Sequence, residues 1–252
     1  MPTLKLKDAE IYYEEYGRGY PVVLFAPGGM RSRIDMWHAP TEGPPRAWID
    51  WTEILAPHYR VIAMDQRNAG KSRGAVAADH GWHTYAADQL ALMDHLGFER
   101  CHTLGGCIGS SYCLKLCEIA PSRISAAVLQ NPIGLNPEFP TYFQDGFAEW
   151  TKEQRAERPE LDPAAFRALG QRMWGGEFVY AVSRDFVRHC TVPTLVLPGD
   201  DKPHPTATGL ELAETLPGAE MLRHWKAPAH LEAQRRTVLA FLEKHTPQAA
   251  RR

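Results

Sequence analysis

Short apolar runs that end at turn residues recur along this chain. Each is four to six residues long, several are rich in β-branched side chains, and each is followed by Gly, Asp, Asn or Pro; they span 22–26, 60–64, 101–104, 125–130 and 194–197. Continuous rather than alternating apolar character is typical of strands covered on both faces, as in a parallel sheet.

Segments with helical periodicity lie between these runs. Apolar residues recur at three- and four-residue spacing over 84–96, 110–120 and 235–245, with Gly97 and Pro247 just beyond two of the ends. Alternating strands and helices predict an α/β fold, with a mostly parallel sheet flanked by helices. Residues 6–17 are predicted to form part of an antiparallel hairpin at the sheet edge.

Two segments interrupt the alternation. Residues 30–52 form a long stretch rich in Trp, Pro and His, and residues 135–190 have helical patches at 145–157 and 163–173 but no strand pattern. Long insertions in compact domains are usually functional. We therefore predict a core of residues 1–134 and 191–252 with a helical lid at 135–190, a plain surface excursion being the alternative.

Composition narrows the function classes. The net charge of −2 gives the chain no excess of basic residues of the kind that binds nucleic acid. No apolar run is long enough to span a membrane. Charges at the N-terminus argue against a signal peptide and favour a cytoplasmic protein. The five cysteines include no CxxC pair and have no His at ligand spacing, which indicates reduced thiols rather than a disulfide framework or a zinc site.

Nucleotide binding is not supported either. Residues 69–72 match the last part of the phosphate-binding loop motif, but Asp65 occupies the position where that motif requires its first Gly. We expect neither a cofactor nor a metal.

Cys107 lies in a Gly-x-Cys-x-Gly sequence between a predicted strand and a predicted helix. This matches the nucleophile elbow, whose sharp turn needs small residues at positions 105 and 109. The N-terminus of the following helix favours the thiolate over the thiol. Ser110 and Ser111 lack flanking glycines at these positions, and the other four cysteines lie in strand-like or apolar helical positions typical of packing.

Five motifs together resemble the α/β-hydrolase superfamily over nearly the whole chain, in a variant with a cysteine nucleophile. They are Ala26-Pro27-Gly28-Gly29, the loop Met64–Ser72 (with Asn68 for a usual Gly), the elbow, Pro198-Gly199-Asp200-Asp201 and Ala229-His230. The Cys nucleophile resembles the dienelactone hydrolase branch, whereas the surrounding sequence is more similar to general esterases and acyl hydrolases.

This resemblance implies an acid after a late strand and a histidine near the C-terminus. It favours His230 over His204, His224 and His245. Asp201 is preferred to Asp200 as the acid, although Lys202 stands where many relatives carry it, and Asn131 is an outside candidate for an orienting amide.

The resemblance also implies an oxyanion hole of backbone N–H groups from Gly29 and Ile108, with Met30 as the alternative to Gly29. Met30, Trp37 and Trp51 are expected to contact the substrate.

The predicted function is a hydrolase that uses a Cys–His–Asp triad to cleave an activated ester, lactone or thioester with an apolar part, through an acyl-thioester. An acyltransferase or a C–C bond hydrolase or lyase on the same scaffold is an alternative, and so is a non-catalytic ligand-binding protein. The expected partner is a small-molecule substrate, with no nucleic acid and no membrane; a homodimer is compatible with the sequence.

Overall fold

The computed structural model describes residues 2–38 and 49–248. Within them the strands are β1 (Thr3–Lys5), β2 (Ala9–Tyr16), β3 (Pro21–Phe25), β4 (Arg60–Met64), β5 (Arg73–Gly74), β6 (Cys101–Gly106), β7 (Ile124–Gln130), β8 (Thr194–Leu197) and β9 (Glu220–Met221). The α-helices are α1 (Trp51–Leu55), α2 (Trp82–His95), α3 (Ile108–Ile119), α4 (Tyr142–Glu157), α5 (Pro163–Trp174), α6 (Arg184–His189), α7 (Thr206–Thr215) and α8 (Leu231–His245).

The strands form one sheet in the order β1-β2-β4-β3-β6-β7-β8-β9, and β5 pairs with β2. The pairs from β4 across to β9 are parallel, whereas β1, β2 and β5 are antiparallel. The mostly parallel sheet is therefore confirmed, and the segment expected to form an edge hairpin supplies β2.

Helices cover both faces of the sheet, which explains why the strand sequences are apolar without alternation. On β3, Val23 and Phe25 pack in the apolar cluster that contains α2 and α3 residues. Val22 and Leu24 face the opposite cluster, to which α1 and α8 contribute.

The loop after β4 explains one departure from the family motif. The Asp65 carboxylate accepts hydrogen bonds from the backbone N–H groups of Ile34 (2.8 Å) and Lys71 (2.7 Å) and so ties two loops together. Asn68 has φ 61°, a conformation that Asn adopts more readily than most residues, and its Oδ1 accepts from the Gly74 N–H at 2.8 Å. Asn68 therefore replaces the usual Gly while adding a hydrogen bond.

Three helices, α4 to α6, lie between β7 and β8, in the segment where the sequence predicts an insertion. Helices α4 and α5 are held together by aromatic contacts: Phe143 stacks on Trp174 with ring centroids 4.8 Å apart, and Trp150 meets Phe166 edge-on at 5.7 Å. Glu153 on α4 forms an ion pair with Arg31 at 2.7 Å, which ties the insertion to the loop after β3. None of the helices in the described ranges is long and apolar enough to cross a membrane.

Candidate active site

A cavity of about 850 Å³ lies where the carboxyl ends of β3, β6, β7 and β8 meet helices α4 and α5. This edge is where α/β sheets characteristically bind ligands. Its lining comes from the loop after β3, the β6–α3 turn, the ends of β7 and β8, the insertion, and the loop before α8: Pro27–Arg31, Ile49, Gly106, Cys107, Gln130, Asn131, Tyr142, Phe143, Gly146, Phe147, Trp174, Asp201, Pro203, His204, Trp225, Lys226, Pro228, Leu231 and Gln234.

Cys107 occupies a strained turn between β6 and α3, with φ 57° and ψ −121°. Two glycines make that turn possible. A Cβ on Gly105 would lie 2.1 Å from the backbone of Gly109, and one on Gly109 would lie 2.0 Å from the carbonyl oxygen of Phe25. The Gly-x-Cys-x-Gly spacing is therefore a steric requirement, and the turn leaves the thiol facing the cavity.

The two serine hydroxyl groups that follow Cys107 in the first turn of α3 form hydrogen bonds within the protein. Ser110 Oγ donates to the carbonyl oxygen of Gly105 at 2.9 Å, and Ser111 Oγ donates to that of Val179 at 2.9 Å. Both side chains are buried and neither lines the cavity. The thiol is thus the group of this turn that faces the cavity.

His204 is the histidine that the structure places beside this thiol. Burial raises the pKa of Cys107, but it is outweighed by the positive charge of His204, hydrogen bonding to the same ring and the N–H groups of Gly28 and Ile108. Together these lower the pKa below the ordinary 9.0. Burial alone lowers the pKa of His204, yet the charge of Cys107 and the hydrogen bond to Asp201 raise it to about 9. Opposite shifts of this kind favour a thiolate–imidazolium pair.

Charge carries most of this interaction. Nε2 of His204 is buried and makes no well-aligned hydrogen bond within the residues described, so the imidazole and the sulfur attract chiefly as opposite charges. Apo sites often have such loose geometry, which tightens when substrate binds.

Asp201 holds His204 within a single turn after β8. Nδ1 of His204 donates to the Asp201 carboxylate, and the two backbones exchange hydrogen bonds at 3.0 and 3.3 Å. Although burial acts in the other direction, His204 and Lys226 lower the pKa of Asp201 to about 2, so the carboxylate stays ionised. The preferred acid of the sequence analysis thus lies in the site, whereas Asp200 pairs with Lys226 and does not line the cavity.

The structure does not bring His230, the histidine favoured from sequence, to the thiol. His230 ends the short 3₁₀ turn Pro228–His230 after β9 and lines a separate cleft of about 350 Å³ with His224 and Asp200. His204 reaches Cys107 instead because its turn follows β8, which is separated from β6 only by β7. The Asp-x-x-His spacing in the turn after β8 allows Asp201 and His204 to pair, but by itself it does not decide between His204 and His230.

Two backbone N–H groups approach the sulfur. Those of Gly28 and Ile108 both lower the pKa of Cys107 by hydrogen bonding to it. Ile108 is one of the two predicted oxyanion donors, and the second N–H at the sulfur is that of Gly28, the residue before the predicted Gly29. Gly28 has φ 112°, a conformation that few residues other than glycine adopt.

The expected substrate contacts divide into two groups. Met30 lines the cavity, but Trp37 and Trp51 are fully buried in the core and do not. Trp37 packs against Gly106, and Trp51 Nε1 donates to Gln130 Oε1 at 2.7 Å. The aromatic wall comes instead from α4, α5 and the segment before α8: Tyr142, Phe143, Phe147, Trp174 and Trp225. Residues 39–48 of the stretch rich in Trp, Pro and His lie outside the described residues.

Asn131 lines the cavity but does not orient His204, whose Nδ1 is occupied by Asp201. The other four cysteines are buried and do not line the cavity. Burial raises the pKa of Cys101 and of Cys113 to about 12, and contact with Cys190 raises that of Cys117. Hydrogen bonding to Cys117 lowers the pKa of Cys190, but no imidazole contributes to that shift.

Sequence comparison agrees with this architecture. The family described as alpha/beta hydrolase fold matches residues 21–202. The chain therefore belongs to the α/β-hydrolase fold family, and the fold predicted from its motifs is confirmed.

Individual relatives differ in how much of the chain they match. The non-heme haloperoxidase of Rhodococcus erythropolis is 27% identical over 96% of this chain and 100% of its own length. A second relative is the "Putative carbamate hydrolase RutD" of Pseudomonas syringae pv. syringae (strain B728a). It is 33% identical over 89 residues, which is 35% of this chain. That match spans only 34% of the relative's length. The enol-lactonase of Burkholderia xenovorans LB400 has the same fold, with a TM-score of 0.65 and 20% identity over 96% of this chain and 100% of its own.

Proposed function

We propose that this protein is a hydrolase that cleaves an activated ester, lactone or thioester with Cys107 as nucleophile, His204 as base and Asp201 as the group that orients His204. The observation that carries the proposal is that Cys107, His204 and Asp201 line one cavity, with Nδ1 of His204 hydrogen-bonded to Asp201. The opposite shifts in the pKa of the thiol and of the imidazole support it. His204 takes the role that the sequence predicts for His230.

In the first step, the Cys107 thiolate attacks the substrate carbonyl carbon, and a C–S bond forms as the carbonyl π electrons move to oxygen. In this proposal the N–H groups of Gly28 and Ile108, which approach the sulfur, stabilise the developing oxyanion. When the oxyanion collapses, the bond to the leaving group breaks, and the His204 imidazolium gives its proton to that group. An acyl-thioester on Cys107 remains.

In the second step, neutral His204 removes a proton from water as the water attacks the thioester carbonyl. A second tetrahedral oxyanion forms and collapses, the C–S bond breaks, and the carboxylic acid leaves. The thiolate and the imidazolium are restored. Asp201 stays ionised throughout and fixes the tautomer of His204 through Nδ1.

The choice of an activated acyl group follows from the nucleophile. A thiolate is a good leaving group, so an intermediate with a poor competing leaving group, such as an amide nitrogen, tends to expel sulfur and revert. The aromatic wall from α4 and α5 suits a substrate with an apolar part. In this proposal the segment 135–190, which supplies that wall, acts as the lid.

Intact-mass spectrometry after acid quenching tests the proposal, with p-nitrophenyl acetate as the acyl donor. We expect a single acetyl group on the wild type, mapped to Cys107, and nitrophenol release over many turnovers. Cys107→Ala should give neither, and His204→Ala should lose most of both. His230→Ala is the matched control and should behave as wild type. An unlabelled, inactive wild type, or a loss confined to His230→Ala, would contradict the proposal.

A further inference from the structure

Two glutamine side chains at the floor of the cavity have fixed amide orientations. An indole N–H can only donate, so the atom of Gln130 that lies 2.7 Å from Trp51 Nε1 must be its oxygen. The same oxygen accepts a second bond, at 3.1 Å, and its donor must be Nε2 of Gln234. The fully buried Trp51 therefore fixes the orientation of both side-chain amides.

This arrangement leaves complementary polar atoms unused. The two N–H bonds of Gln130 Nε2 and the oxygen of Gln234 make no hydrogen bond within the residues described, and neither atom is sealed from solvent. A second glutamine pair provides the contrast. Gln89 donates to Gln66 at 3.0 Å, but the unused atoms of that pair are enclosed in the core. Since Gln130 and Gln234 line the cavity, their unused atoms are open to it.

The pair lies close to the nucleophile. The backbone carbonyl oxygen of Gln130 accepts the N–H of Cys107 at 3.0 Å, so the two residues are neighbours across the ends of β6 and β7. The cationic side chains in the lining are already paired: Arg31 with Glu153, Lys226 with Asp200 and Asp201, and the His204 imidazolium with Asp201. The chemistry offered by the glutamine pair is thus neutral, with donors on one amide and an acceptor on the other.

We propose that Gln130 and Gln234 recognise a neutral substrate group that both accepts and donates a hydrogen bond, a hydroxyl or an amide. Gln130 Nε2 donates to its oxygen, and Gln234 Oε1 accepts its hydrogen. The inference rests on the proposed function in that this group belongs to the molecule that Cys107 attacks. The two glutamines are specificity-determining residues, because a substrate lacking the donor leaves a polar atom of the site unpaired.

Calorimetric titration of the Cys107→Ala protein tests this independently of catalysis. The ligands are phenylacetamide, 2-phenylethanol and methyl phenylacetate, of which only the last has no donor. Adding Gln234→Met should weaken the binding of phenylacetamide and of 2-phenylethanol by roughly tenfold, which corresponds to the loss of one hydrogen bond. The binding of methyl phenylacetate should weaken by less than about twofold. Tighter binding of the amide or of the alcohol identifies the group that the site prefers, and either outcome supports the proposal.

Gln89→Met, which removes the equivalent bond of the core pair, is the matched control and should not change any of the three affinities. Gln130→Glu is the second variant. It keeps acceptors for Trp51 and Gln234 but loses the donors, and should weaken all three ligands. If Gln234→Met weakens all three ligands equally, or none of them, the inference is wrong. Failure of the proposed function would appear separately, as a wild type that forms no acetyl adduct.

Discussion

Replacing His204 by alanine should convert Cys107 from a reactive thiolate into an ordinary buried thiol. The variant removes the imidazolium charge and the hydrogen bonding that lower the pKa of Cys107, and leaves burial, which raises it. The N–H groups of Gly28 and Ile108 remain, but their effect is smaller than that of the ring. The pKa of the thiol should therefore rise to its ordinary value or above.

The size of the effect follows from the fraction of thiolate at neutral pH. A thiol at the ordinary 9.0 is about 1% ionised at pH 7, because each pKa unit is a factor of ten. In the wild type, the thiolate–imidazolium pair persists from the lowered pKa of Cys107 up to about 9, where His204 loses its proton. A fully ionised wild-type thiolate sets the upper limit, so we expect the alkylation rate at pH 7 to fall by up to about 100-fold in the variant.

The assay is the rate of alkylation by iodoacetamide, an uncharged reagent, followed from pH 5 to pH 10 by peptide mapping of Cys107. The wild-type rate should level off below pH 9, whereas that of His204→Ala should still be rising there. His230→Ala serves as the control and should reproduce the wild-type profile. Identical profiles for the wild type and His204→Ala would refute the ion pair.

Three further predictions concern stability. Gly109→Ala should destabilise the fold by about 3 kcal/mol or more in urea unfolding, because the new Cβ would meet a backbone oxygen at 2.0 Å; Gly146→Ala, at an exposed helical site with no atom within 4 Å, should instead stabilise by about 0.5–1 kcal/mol. Arg67→Met should cost about 3–5 kcal/mol in the same assay, since it strips Asp88 of a bidentate partner where both side chains are only 4% exposed; an unchanged midpoint would contradict this. The low pKa of Asp201 stabilises the fold above the unfolded-state value of 3.8, so this contribution should be lost as pH falls toward about 2. Asp201→Asn should accordingly flatten the melting temperature between pH 4 and pH 2, and an equally steep fall would argue against the pairing.

Much of the fold follows from local pattern because each central strand is a continuous apolar run. Runs 60–64 and 194–197 coincide with β4 and β8, and run 125–130 falls within β7. The two-residue strands β5 and β9 are too short to have a period, and their pairing depends on the strands beside them. Helix α7 was not predicted, because its sequence TATGLELAET has no clear apolar stripe.

The site was only partly predictable for a physical reason. The Cys107 turn is a local steric constraint, so its glycines are visible in the sequence. The choice between His204 and His230 depends on which loop folds over the end of β6, and local pattern does not carry that information. Trp37 and Trp51 illustrate the same limit, since an aromatic residue in a loop packs equally well against a ligand or in the core.

One turn after β8 carries both Asp201 and His204, three residues apart and joined through backbone and side chains. The acid and the imidazole therefore move together as a single module, and their mutual alignment does not depend on the path of the chain beyond it. Residues 216–230 still supply Trp225, Lys226 and Pro228 to the cavity lining, but a change in the path of this segment would leave the Asp201–His204 hydrogen bond in place. A designer could graft the Asp-x-x-His turn between related sheets as one cassette, keeping only its distance from the elbow.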